Sequence, residues 1–143
     1  MIDRDSRNRL AELLRSLASG QITNDEFEDS IPESNDNAIM EVFSNGGWTL
    51  YSDMKEYKLK GKDALESVVK KEVARWVLFL KSNYEYRWPQ VPLSQRFLHS
   101  LTLGLLGTTY AKVWGATGDI EVWPFLKNEE FTAAKEEHGY LGK

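Results

Sequence analysis

The sequence predicts a mainly α-helical protein, a single compact domain over 1–143 with five to six helices and at most one minor β-hairpin. Three observations predict it. Apolar residues recur at intervals of three and four, which keeps them on one face of a 3.6-residue helix. Cap residues and glycines bracket those runs. Period-two alternation, the mark of a half-buried strand, is confined to a few short stretches.

Residues 6–19, SRNRLAELLRSLAS, form the first expected helix. Leu10, Leu13, Leu14 and Leu17 make its stripe, with Arg7, Arg9 and Arg15 placed off it. Asp5 or Ser6 supplies an N-cap, and Gly20 stands where a helix end wants a residue tolerant of positive φ. A second helix opens at Thr23. Thr23 as N-cap and Glu26 three residues on form a capping box, Ile22 and Phe27 are spaced as a hydrophobic staple, and Pro32 ends the element. Residues 1–31 thus read as a helical hairpin packed on, or appended to, the rest.

Ala38 to Phe43 predicts a short third helix stopped by Asn45-Gly46-Gly47. WTLY at 48–51 fits a helix or a brief strand, and KEYKLKGK at 55–62 a strand or a connector. Residues 63–82 give the clearest helix, with Asp63 as cap and Leu65, Val69, Val73, Trp76 and Leu80 at spacings of four, four, three and four. Val68, Val77 and Phe79 widen its apolar side. Ser94 is placed to cap a long helix from about 95 to 114, apolar on most sides. IEVWPF at 120–125 reads as extended, and 127–138 as a last polar helix.

The hairpin RLAELLRSLASGQITNDEFED, residues 9–29, resembles the SHOCT type of short bacterial helical module. The matching residues are Leu10, Leu13, Leu14, Leu17, Gly20, Ile22, Thr23, Glu26 and Phe27, and the resemblance covers about a seventh of the chain. It implies oligomerisation or docking rather than chemistry.

Composition narrows the function. The chain has no Cys, which excludes thiol chemistry and disulfides. MIDRDSRNRL carries charge where a signal peptide needs an apolar run. The least charged stretch, FLHSLTLGLLGTTYA at 97–111, is too short to span a bilayer. These features predict a cytoplasmic protein with no membrane partner. His99 and His138, the only imidazoles, stand in no metal-ligand spacing, and NDEFEDSIPESND lacks the alternation and central Gly of a calcium loop. No metal and no cofactor is expected. Gly104, Gly107, Gly115 and Gly118 form no phosphate-binding motif. Glu85 and Glu121, each set before an aromatic and a Trp-Pro pair, are the residues on which a carboxylate-based hydrolase would depend. With no nucleophile motif, the chain reads as a non-enzyme.

Charge supplies the positive hint. From Ser16 to Met54 there are eight carboxylates and no Lys, Arg or His: Asp25, Glu26, Glu28, Asp29, Glu33, Asp36, Glu41 and Asp53. Net charge is only -4, so the remainder carries +4. Residues 55–81 hold eight of the basic residues against four acids. A sequence pI near 5.3 and an acidic second helix argue against nucleic acid. Caps account for Asp25, Glu26 and Asp36, but not for Glu28, Asp29, Glu33 and Glu41. The expected function is a non-enzymatic protein-binding module with an acidic face, in the manner of an immunity protein or antitoxin inhibiting a basic protein. Asp25, Glu28, Asp29, Glu33 and Glu41 would supply the field, with Trp48 and Tyr51 as exposed anchors. The alternative is a structural, self-associating protein forming at least a homodimer.

Overall fold

The computed structural model describes residues 1–88 and 118–137, and the protein is mainly helical. The chain divides into two compact units, Met1–Glu85 and Tyr86–Lys143. The first unit holds α1 (Arg4–Ala18), α2 (Asn24–Asp29), α3 (Asn37–Asn45) and α4 (Ser67–Lys81), with 3₁₀ turns at Gly47–Leu50 and Gly61–Asp63. The second holds a 3₁₀ turn at Ile120–Val122 and α5 (Asn128–Glu137) among its described residues. The helix expected at 95–114, His99 and His138 lie outside the described residues.

In the first unit α1 packs on α4. Leu10, Leu14 and Leu17 of the Leu stripe are fully buried together with Ala11, while Leu13 is only partly covered. Facing elements contribute Phe27, Ile39, Val42, Phe79 and Leu80, also buried. The second half of α4 is enclosed on all sides from Trp76 to Leu80. Val68, placed on the apolar side from sequence, is exposed instead.

The caps follow the sequence closely at α2. Thr23 accepts from the Glu26 amide at 3.1 Å, and the Glu26 carboxylate accepts from the Thr23 amide at 2.7 Å. Gly20 takes φ +70°, and a Cβ there would sit 2.9 Å from the Leu59 carbonyl oxygen. Two caps differ. Asp3, not Asp5 or Ser6, caps α1, because its carboxylate reaches the Ser6 amide at 3.1 Å. Asp63 does not cap α4. It closes a separate 3₁₀ turn, and the long helix begins only at Ser67. The extended reading of 120–125 also gives way, since Asp119 accepts from the Glu121 amide and starts a 3₁₀ turn. The only β pairing among the described residues is one antiparallel bridge between Thr23 and Lys58.

Arg7 overturns the sequence reading most clearly. Placed off the apolar stripe, it is completely buried. Its Nε donates to Asp36 Oδ2 at 2.5 Å, one terminal nitrogen to Asp36 Oδ1 at 3.1 Å, and the other to the Tyr84 carbonyl at 2.7 Å. The guanidinium lies 5.3 Å from the centre of the Phe79 ring. Asp36 also caps α3 through the Ala38 amide and accepts from the Asp3 amide, both at 3.1 Å. Ser34 joins Asp3 to this group, donating to its carboxylate at 2.7 Å and accepting from the Asp36 amide at 3.1 Å. One turn earlier, Arg4 donates to the carbonyls of Leu80 and Ser82 at 2.9 and 2.7 Å. A cation there suits the negative end of the α4 dipole.

Burial alone would raise the Asp36 pKa. The Arg7 hydrogen bonds, the two amides and the Arg7 charge outweigh it and hold the carboxyl below its ordinary value of 3.8. Hydrogen bonds from Ser6 and Ser34 lower Asp3 to about 2. A depressed carboxylate adds stability that is complete above its unfolded pKa and lost as pH falls through the folded one. Urea unfolding of Arg7→Ala at pH 7 should therefore show a loss of about 3–5 kcal/mol, because Asp36 is left as an uncompensated buried charge. Arg7→Lys should recover only part of it, having one point charge where the site needs a fork. The wild type should lose stability between about pH 4 and pH 2, and Arg7→Ala should lose less over that interval.

Candidate functional site

The acidic stretch folds around a buried amide. Asn24, the first residue of α2, is 1% exposed. Its Nδ2 donates to the carbonyls of Lys55 and Ser52 at 3.1 and 3.4 Å, and its Oδ1 accepts from the Tyr57 amide at 2.8 Å. Its own amide donates to the Tyr57 carbonyl at 3.1 Å. Thr23 Oγ1 donates to Glu56 at 2.8 Å, and the Tyr57 hydroxyl accepts from the Ser52 amide at 2.9 Å. These bonds tie residues 52–57 to the start of α2. The loop that carries Asp53 and Glu56 is thereby set beside the helix that carries Asp25, Glu28 and Asp29.

The result is a crowd of carboxylates. Desolvation, then the charges of Glu56, Glu28 and Asp29, raise the pKa of the exposed Asp25 above 3.8. This happens although Asp25 sits in the first turn of α2, where the helix dipole favours an anion. Desolvation and repulsion together outweigh the dipole. Among the described residues, Asp25, Glu28, Asp29, Glu33, Asp53 and Glu56 make no ion pair. The nearby lysines are engaged elsewhere. Lys58 donates to the Gln21 carbonyl at 2.9 Å, and Lys55 lies 5.7 Å from the centre of the Tyr57 ring.

An aromatic chain runs beneath this face. Trp48 stacks on Phe43 with centroids 6.1 Å apart and planes 8° from parallel. Phe43 meets Phe27 at 6.0 Å, and Phe27 meets Tyr51 edge-on at 6.1 Å. Gly47 makes the chain compact, since a Cβ there would lie 3.0 Å from the Phe27 ring. Trp48 is exposed, as expected of an anchor. Tyr51 is only half exposed. Its hydroxyl is buried and meets no partner at full hydrogen-bond geometry. Burial, then the Glu28 carboxylate beside it, then the charges of Asp53 and Asp25, push its pKa up. Tyr51 is thus part of the floor of the acidic face rather than a projecting anchor.

Of the seven residues singled out from sequence, the structure brings Asp25, Glu28, Asp29 and Tyr51 together, and the ring chain links Trp48 to them. Glu33 is exposed, and Glu41 accepts from Asn45 on its own helix at 2.8 Å. Neither is among the charges that act on Asp25 or Tyr51. Glu56 was missed because it lies among lysines in KEYKLKGK. Asn24 was missed because a polar residue in a helix's first turn ordinarily faces water.

The other candidates are scattered. Glu85 is 59% exposed and pairs with the Met1 ammonium at 3.4 Å, and Glu121 is exposed in its 3₁₀ turn. Among the described residues no group of three His, Asp or Glu converges to hold a metal ion, and no helix is long and apolar enough to cross a membrane. Comparison with protein-family models, curated proteins and solved structures finds no match.

Replacing Asn24 with Ala leaves the Tyr57 amide and the Lys55 carbonyl without their partner. Urea unfolding should show a loss of about 1–3 kcal/mol. Hydrogen exchange should quicken at the Tyr57 amide while the amides inside α1 keep their protection.

Proposed function

We propose that this protein is a non-enzymatic binding module whose acidic face, formed by α2 and the loop tied to it, docks on a basic protein. One observation carries the reading. Glu28, Asp29 and Glu56 act on Asp25, and Asp53 joins Glu28 and Asp25 in acting on Tyr51, with no cation of the described residues paired to any of the five. A surface selected for stability alone intersperses opposite charges. A face that keeps its repulsion is suited to a partner that relieves it. Exposed apolar groups of the same unit, Trp48 and Met40, would supply the desolvated contact that charge alone does not give. Inhibitors that cover the basic, substrate-binding cleft of a nuclease use this combination, and that role, as an immunity protein or antitoxin, is the one we assign.

The test is affinity capture from lysate of the source cell at low and high salt, with the wild type and with Glu28→Lys/Asp29→Lys. Both side chains are exposed, so the variant should stay folded. The wild type should retain a basic protein at low salt and release it at high salt, and the variant should fail to retain it. Recovery of the same protein by both forms, or of none but the protein itself, would sink the proposal.

A further inference from the structure

We propose that Asn45-Gly46 is a self-modifying site: the closed end of α3 protects it, and opening of that end lets Asn45 convert, without an enzyme, to aspartate and isoaspartate. The site does not depend on the acidic-face reading.

Sequence supplies the reactivity. Asparagine before glycine cyclises readily, because glycine has no side chain to shield its amide nitrogen. Asn45 is the one asparagine of the chain that precedes a glycine. In the reaction the Gly46 nitrogen attacks Cγ of Asn45. The attacking nitrogen loses its proton, a new C–N bond closes a succinimide ring, and the side-chain nitrogen takes up the proton and leaves as ammonia. Water then opens the ring at either carbonyl. One opening gives aspartate in the original main chain, and the other gives isoaspartate, whose main chain runs through Cβ and Cγ. Water is consumed and ammonia released, with no oxidant or reductant needed.

The structure supplies the protection. Asn45 is exposed to water, yet both reacting groups are engaged. Its Nδ2 donates to Glu41 Oε2 at 2.8 Å, one turn back on the same helix. The Gly46 amide donates to the Val42 carbonyl at 3.1 Å, which occupies the N–H that must be lost. The Gly46 carbonyl accepts from the Thr49 amide at 3.0 Å and from the Thr49 hydroxyl at 2.7 Å. Ring closure turns the bond between Cα and the carbonyl carbon of Asn45 away from its helical angle, and that breaks the bond to Val42. Gly46 has no room to follow within the fold. It is buried, and a Cβ there would lie 2.7 Å from the Val42 carbonyl oxygen and 3.1 Å from the Trp76 ring. The reaction therefore waits for the end of α3 to unwind.

The same contacts keep the product from closing as before. A carboxylate at position 45 replaces the amide that donates to Glu41, and like charges at this helical spacing repel. It also stands at the negative end of the α3 dipole. Isoaspartate adds a main-chain carbon just before Gly46, where the approach to Trp76 leaves no space. An opening that ends in reaction is thus recorded covalently.

The test follows the full chain by peptide mass mapping at mildly alkaline pH, in buffer and in urea past the unfolding transition, with isoaspartate scored by a methyltransferase specific for it. In urea Asn45 should convert faster than any other asparagine. In buffer its rate should fall about tenfold or more, since only the opened fraction reacts. Asn45→Asp, one of the two products, should unfold at a lower urea concentration than the wild type. Equal rates in buffer and in urea would overturn the protection. Conversion in urea no faster at Asn45 than at the other asparagines would overturn the site itself. Unfolding of Asn45→Asp at the wild-type urea concentration would overturn the claim that the product cannot close.

Discussion

Arg7 and Asp36 form the contact on which the first unit depends. Removing a guanidinium and a carboxylate from water costs several kcal/mol for each ion, and their attraction offsets this only with good geometry and further hydrogen bonds. Both conditions are met. Arg7 spends its fork on Asp36 and its remaining terminal nitrogen on the Tyr84 carbonyl. Asp36 takes the amides of Asp3 and Ala38 as well. A single buried pair thereby joins the start of the chain, α1, the cap of α3 and the segment that follows α4. Apolar packing of the Leu stripe on Phe79 and Leu80 supplies most of the driving force. The ion pair supplies register, since only one rotation of α1 brings Arg7 to both partners.

A smaller polar group organises the candidate site in the same manner. Asn24 holds residues 52–57 against α2 through backbone groups that would otherwise need water. The loop cannot leave without exposing those groups, so the carboxylates it carries are kept near those of α2 despite their repulsion. Below them the rings of Tyr51, Phe27, Phe43 and Trp48 form a continuous support. The face is preorganised, and preorganisation lowers the ordering cost that a binding partner must meet. Its charge and its rigidity have separate origins, the first in side chains of α2 and the loop, the second in Asn24 and the rings.

The parts legible in the sequence are those governed by local rules. The Leu10–Leu17 stripe, the Gly20 turn, the Thr23 capping box and the Gly46 stop depend on neighbours within a few residues, and periodicity or cap chemistry reveals them. What escaped is long-range. Arg7 looks like a solvent-facing cation until Asp36, 29 residues away, arrives beside it. Asp63 has the composition of a cap, yet the chain spends it on a short turn before Ser67. Charge segregation pointed to Asp25, Glu28 and Asp29, but counting along the chain could neither add Glu56 nor set Glu33 and Glu41 apart. Tyr51 has the composition of an anchor, and its packing against Phe27, 24 residues away, is a long-range contact that the local sequence does not show.

An acidic face calls for a basic partner only if its charge is uncompensated within the protein. The most direct measurement is the pKa of the Asp25 carboxyl, followed by carbon-detected NMR through an acid titration at low and at high salt. The structure predicts a value above 3.8 at low salt, moving down as added salt screens Glu56, Glu28 and Asp29. A value indifferent to salt, raised or not, would mean that repulsion contributes nothing at Asp25, and the face would lose its claim to a basic partner.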